Sequence, residues 1–149
     1  MTGSPKLLDH GTRLAIFVPS LRGGGAERVM VTVANGLANL GYEVVLVLAS
    51  AEGRYLKDVS DTVRVVDLKS AGVLSSLPGL VLYLRHERPH TLLAAMGHAN
   101  VIALTARMLA WVPTRVIFSE HNNFSMSKRH ARSLRARAVR WVMPWAYRQ

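Results

Sequence analysis

Leu14-Ala15-Ile16-Phe17-Val18-Pro19-Ser20-Leu21-Arg22-Gly23-Gly24-Gly25-Ala26-Glu27-Arg28 joins an apolar run to a helical pattern through three consecutive glycines. The run Leu14 to Val18 has no polar residue alternating within it, the pattern of a strand buried on both faces. Downstream, Met30, Val33, Ala34, Leu37 and Leu40 recur at helical spacing, with Arg28, Thr32, Asn35 and Asn39 opposite, so a helix is predicted over 26–40. Glycines lack Cβ and admit a ligand close to the backbone, and the unpaired N–H groups of a first helical turn attract negative charge, which makes phosphate the natural guest. The competing reading is a tight strand-to-helix turn that holds nothing. The loop fits neither Gly-x-x-x-x-Gly-Lys-Ser/Thr nor Gly-x-Gly-x-x-Gly.

Outward from this stretch the alternation continues. Strands are predicted over 13–19, 43–49, 63–68, 91–95 and 114–119, and further helices from Leu74 or Pro78 to Glu87, over 98–110, and from Ser127 onward. Gly41 reads as the C′ glycine of the first helix, and Pro89 and Pro113 close two others. Alternating strands and helices imply an α/β fold, a Rossmann-like open parallel sheet with helices on both faces. Residues 1–12 are expected to be a poorly ordered leader, and 13–149 a single domain. Its helical pattern is still running at Gln149, so the domain is expected to be truncated in its last helix.

Half of the 149 residues are apolar, enough for a globular core, and there is no cysteine and hence no disulfide framework. The richest apolar segment, 73–84, is interrupted by Ser75, Ser76, Pro78 and Gly79 and falls short of the roughly 18 to 20 residues of a membrane span. The run after the charged N-terminus is too short for a signal peptide, so a cytoplasmic location is expected. The net charge of +10 is concentrated at one end: Lys128, Arg129, Arg132, Arg135, Arg137, Arg140 and Arg148 all follow Glu120, the last acid. In the terminal segment Leu134, Ala138, Trp141, Val142 and Trp145 form an apolar stripe flanked by arginines. Docking on the sheet is its main reading; contact of Arg132, Arg135 and Arg140 with an anionic membrane surface is a second role. No nucleic-acid module accompanies the charge, so no nucleic-acid partner is expected.

In an open parallel sheet, ligands gather beyond the carboxyl ends of the strands. That edge collects 20–25, 50–55, 96–100 and the polar cluster Glu120-His121-Asn122-Asn123. An imidazole at His121 could hydrogen-bond a sugar hydroxyl or a developing charge, or simply cap a helix. His98 and Asn100 could contact a ligand or merely open their helix. Glu27 is explained by the positive end of the helix dipole without catalysis. Arg22, Glu27, His98, Asn100, Glu120 and Asn122 are thus the candidate contacts to a sugar or an acceptor. No metal site, cofactor or serine-nucleophile elbow is expected.

Leu14 to Arg28, Asn35-Gly36-Leu37-Ala38 with Gly41-Tyr42-Glu43-Val44, Val63-Arg64-Val65-Val66-Asp67-Leu68, and Thr114-Arg115-Val116-Ile117-Phe118-Ser119-Glu120-His121-Asn122 together resemble the N-terminal domain of family 4 glycosyltransferases. The resemblance covers nearly all of 13–147. It implies a retaining, metal-independent enzyme of the two-domain GT-B architecture, with a nucleotide-sugar donor as substrate and a glycan or lipid-linked acceptor. By similarity, Gly23, Gly24 and Gly25 lie against the donor phosphates, and His121 is the catalytic residue that orients the donor sugar and stabilises an oxocarbenium-like transition state. The family's donor-binding C-terminal domain, with its basic pair and Glu-x7-Glu motif, has no counterpart in this sequence. The chain is therefore expected to be inactive alone and to need that domain or a separate subunit, as a truncated reading frame or one half of a split enzyme. Two alternatives stand beside this: a non-catalytic module on the membrane surface, and another nucleotide-binding Rossmann protein. The latter is disfavoured by Leu48-Ala49-Ser50, where an acidic ribose ligand would end the second strand.

Overall fold

The computed structural model describes residues 12–119. Five strands form one parallel sheet: β1 (Arg13–Val18), β2 (Glu43–Leu48), β3 (Arg64–Asp67), β4 (Thr91–Ala95) and β5 (Arg115–Ser119), in the order β3-β2-β1-β4-β5. Three helices connect them: α1 (Gly25–Asn39), α2 (Leu77–Glu87) and α3 (Gly97–Ala110). The predicted strands and helices of this region are all present, with ends displaced by one or two residues. The uncertain start of α2 resolves into a short 3₁₀ turn, Leu74–Ser76, that runs directly into the helix at Leu77.

β1 is the central strand, and its alternate residues enter two different cores, as its unbroken apolar pattern requires. Ala15 and Phe17 join Val45, Val47, Leu92 and Ala94 beneath α2 and α3, which contribute Leu80, Leu84, Ala99, Ala103 and Ala106. Ile16 and Val18 join Val44, Leu46 and Leu48 on the opposite side, where α1 contributes Met30, Val31 and Ala34. The small alanines of α3 let that helix lie close to the sheet, and Phe17, with no exposed surface, fills the space between them.

The buried stripe of α1 differs from the predicted one. Val31 is buried and Leu40 is 64 % exposed, because the helix ends at Asn39 and Leu40 becomes its C-cap, with Gly41 following at φ 91°. Pro89 and Pro113 do follow α2 and α3, whose C-cap residues Arg88 and Trp111 both adopt left-handed backbone.

At the amino edge of the sheet, charges at the strand starts are paired. Arg13 donates from Nε to Glu43 Oε1 and from Nη1 to Glu87 Oε2, each at 2.7 Å, and Arg64 Nη2 lies 3.0 Å from the same Glu87 oxygen. The hydrogen bond from Arg64 and the nearby positive charge of Arg13 hold the Glu87 carboxyl below the usual carboxylate range. Buried Thr114 Oγ1 donates to Pro89 O at 2.8 Å on the same edge. Tyr83 is the exception: its hydroxyl is buried without a partner, and burial, with Glu87 nearby, pushes the phenol up to about 12.

Candidate functional site

The strand order fixes where a ligand can enter. The chain runs from β1 outward through β2 to β3, then crosses back to β4 beside β1 and continues outward to β5. The direction in which strands are added to the sheet therefore reverses between β1 and β4, which pair in parallel from Leu14 with Thr91 to Phe17 with Ala94. Connections leaving β1 and β4 diverge to opposite faces, opening a crevice beyond their carboxyl ends, where doubly wound sheets take their ligands. The glycine loop borders it on one side and residues 96–100 on the other, so α1 and α3 both bring their amino ends to it.

The three glycines have different duties. Glu27, at 7 % exposure, turns its carboxylate back over the loop, where Oε2 accepts the N–H of Gly23 at 2.6 Å and also the N–H of Gly24. Gly24 is the N-cap of α1 and Glu27 its third residue, so this is the glutamate half of a capping box, with no side chain at the cap to return the bond. The anion expected on this loop is thus already supplied from within the chain at Gly23 and Gly24. Gly25 is exposed, a Cβ built there would meet nothing within 4 Å, and the first amides of α1 have no intrahelical acceptor. Gly25 and Ala26 offer the open donors. The sequence reading of Glu27 through the helix dipole holds for its position but missed this clamp, whose signal was the Gly24-x-x-Glu27 spacing.

A second layer of contacts braces the loop from neighbouring strands. Leu21, fully buried, donates its N–H to Glu52 O at 2.9 Å and accepts from Tyr55 N–H at 3.2 Å. Gly53 sits at φ 122°, where a Cβ would lie 2.1 Å from the Leu21 carbonyl carbon, so only glycine lets these two loops meet. Arg54 donates to Gly23 O at 3.3 Å and to the Tyr55 hydroxyl at 3.2 Å, and its guanidinium lies 5.0 Å from the Tyr55 ring centre. Gly23 itself has φ 145°, and a Cβ there would press on Arg54 Nε at 2.9 Å. Arg22 pairs with Glu52 in the open. Asp67, ending β3, accepts from Ala51 N–H at 3.1 Å and Lys69 N–H at 2.8 Å. Three consecutive strand ends are thereby tied together. Gly53, Arg54 and Asp67 have no assigned role in the sequence reading, because their importance depends on which strands lie side by side.

On the other flank, His98 is exposed in the first turn of α3, and Asn100 is buried in that turn with both side-chain polar atoms unpartnered. Arg22, the glycine loop, Glu27, His98 and Asn100 therefore share one edge of the sheet. His121, Glu120, Asn122, Arg132, Arg135 and Arg140 lie outside the described residues. His86 and His90 are four apart, a spacing that pairs two ligands on a helix, but Arg88 ends α2 between them. No group of three or more metal-ligating side chains occurs among the described residues.

A parallel sheet whose reversal crevice is flanked by two helix amino ends defines a doubly wound, Rossmann-like domain of the α/β class. The chain belongs to glycosyltransferase family 4: the model of Glycosyltransferase Family 4 matches residues 23–149. No curated protein matches the sequence. Among solved structures, the fold is similar to that of a lipopolysaccharide outer core galactosyltransferase, WaaB, in its apo form, at TM-score 0.62 and 12 % identity over 87 % of this chain. It is also similar to Phytolacca americana UGT2 complexed with UDP-2fluoro-glucose and pterostilbene, at TM-score 0.52 and 16 % identity over 74 % of this chain. The chain spans 37 % and 31 % of those two proteins, respectively, and has the architecture of a GT-B N-terminal domain. No helix among the described residues is long and apolar enough to cross a membrane.

Proposed function

We propose that this chain forms the acceptor-side half of a glycosyltransferase that moves a sugar from a nucleotide-sugar donor to a glycan or lipid-linked acceptor. Membership of family 4 supports the reaction class, and the reversal crevice between the glycine loop and α3 is the observation that supports its location. In this reading the donor diphosphate approaches the open amides of Gly25 and Ala26, where no side chain obstructs it and the positive end of α1 offsets the charge that develops on the leaving group. Glu27 holds Gly23 and Gly24 in the conformation that presents those amides. Arg54 adds positive charge at the rim, where Arg22 is already paired with Glu52. His121 meets the donor sugar, orienting a hydroxyl and stabilising positive charge at the anomeric carbon. A second domain or subunit supplies the greater part of the donor-nucleotide contacts, and Arg132, Arg135 and Arg140 bring the acceptor side to an anionic membrane.

The experiment is to join the chain to a family 4 donor-binding domain and measure sugar transfer from a panel of nucleotide sugars. Gly25→Val and His121→Ala are each expected to lower transfer by about 100-fold while leaving thermal stability unchanged. Full activity in the double variant would overturn the proposed site. Separately, salt-sensitive binding to anionic vesicles, lost on replacing the three arginines with serine, tests the membrane contact.

A further inference from the structure

Asn100 is 4 % exposed, and neither its Oδ1 nor its Nδ2 has a hydrogen-bond partner. A buried carboxamide unmet at both ends is destabilising, and folded proteins satisfy nearly all such groups. Its position supplies a reason. The Asn100 N–H bonds to Met96 O at 3.0 Å and closes the first turn of α3. Cα–Cβ bonds in a helix tilt toward its amino end, so the carboxamide leans over the turn formed by Gly97, His98 and Ala99, whose amides have no intrahelical acceptor. The N-cap, Met96, provides no side-chain bond to them. Met96 and Gly97 are half-buried, so the carboxamide lies beneath the first turn of α3, the helix end that borders the crevice beside β1.

The chemistry of the unmet atoms selects the ligand. The ionised diphosphate of a nucleotide sugar would accept from Nδ2 and from the helix amides but has no hydrogen to offer Oδ1. A hydroxyl both donates and accepts, and two adjacent hydroxyls on a pyranose match the acceptor and donor of one carboxamide. We propose that Asn100 and the first turn of α3 form a subsite for a vicinal hydroxyl pair of a hexopyranose, separate from the anion-binding amides of α1. This rests on the transferase reading above and adds to it a residue that recognises sugar. The hexose belongs either to the donor or to the acceptor, and both present the same hydroxyl chemistry.

The test is a titration of the ¹⁵N-labelled full chain, following the Asn100 side-chain amide pair and the Gly25 backbone amide. The probes are methyl glucopyranoside, methyl galactopyranoside, UDP-glucose, UDP and inorganic phosphate. A saturable shift of the Asn100 pair with a glycoside or with UDP-glucose, and none with UDP or phosphate, is the expected result. Response to the glycosides places an acceptor sugar there; response to UDP-glucose alone places the donor hexose. Asn100→Leu removes the unmet amide, so its Tm rises by about 2 to 4 °C while sugar affinity falls by at least about tenfold. An equal response of Asn100 to phosphate, or undiminished sugar binding in N100L, overturns the assignment, as does a silent Asn100 pair, the signature of a trapped water. If Gly25 responds to UDP while Asn100 stays silent to every sugar, this inference fails and the transferase reading stands. Silence at both positions toward every probe overturns both. The wild-type resonances carry the test even where N100L fails to fold, with Asn100→Ser serving to assign them.

Discussion

The two edges of the sheet are built to opposite specifications. At the amino edge, Arg13, Glu43, Arg64 and Glu87 satisfy one another, and the strand starts are tied down by backbone bonds such as His90 N–H to Arg13 O at 2.9 Å and Arg115 N–H to His90 O at 3.0 Å. At the carboxyl edge, the amides of Gly25 and Ala26 in the first turn of α1 have no intrahelical acceptor, and Asn100 keeps an unmet carboxamide. The same five strands support both, so the difference comes from the loops and not from the sheet. Tyr83, with its partnerless hydroxyl near the amino edge, limits the contrast: its phenol stays neutral at ordinary pH, so that burial is far less costly than an unmet charge would be. A closed edge adds stability, and an open edge leaves polar groups for a ligand to satisfy, a division expected where binding competes with folding.

Four substitutions probe that division, in decreasing order of expected effect. Gly53→Val should be the most damaging, costing about 3 to 5 kcal/mol in chemical denaturation, because it combines positive φ with a Cβ overlapping the Leu21 backbone. A loss below about 1 kcal/mol would mean that the loops after β1 and β2 are not braced as described. Gly25→Val should leave the melting temperature in place and lower transfer by about 100-fold in the joined enzyme, a cost of about 2.7 kcal/mol confined to function. Glu27→Ala leaves two glycine amides unmet and should destabilise by about 1 to 3 kcal/mol, with Glu27→Gln recovering part of it, since the amide oxygen still accepts but without charge. Glu87→Gln should be the mildest, at about 0.5 kcal/mol, because its partners are partly exposed.

The last variant also carries a pH signature. The folded carboxyl of Glu87 titrates below its unfolded value of about 4.3, so its contribution is complete above that pH and disappears as pH falls through the folded value. Stability curves of wild type and Glu87→Gln should therefore lie apart above the unfolded value of about 4.3 and draw together as pH falls below it. Curves that stay parallel through this window would remove the amino-edge network from the account.

How much of this was legible in the sequence follows from the range of each interaction. Strands such as β1 and β2 were readable because their apolar runs are local, and α1 was readable in position though not in its exact buried stripe. The correction at Leu40 came from the cap, where Gly41 ends the helix one residue before the periodicity does. The glycine loop was recognisable as a place for an anion; that Glu27 already serves as one to Gly23 and Gly24 depends on a side-chain rotation that the spacing permits but does not dictate. Gly53, Arg54 and Asp67 act on residues from 16 to about 32 positions away, and their roles appear only once β3, β2 and β1 stand side by side. The unmet state of Asn100 is equally invisible to pattern, since it is defined by what its surroundings lack.

The ties from Asp67 to Ala51, from Gly53 to Leu21 and from Arg54 to Gly23 bear on how such a domain can be re-engineered. The glycine loop is not a portable cassette. Grafted alone onto another α/β scaffold, it would lose the supports that set its backbone, whereas a transplant carrying 19–27, 49–55 and 67–69 together would move a self-consistent block. By the same reasoning, recombination between homologues should succeed at crossovers that keep these three segments from one parent, and fail at crossovers that separate them.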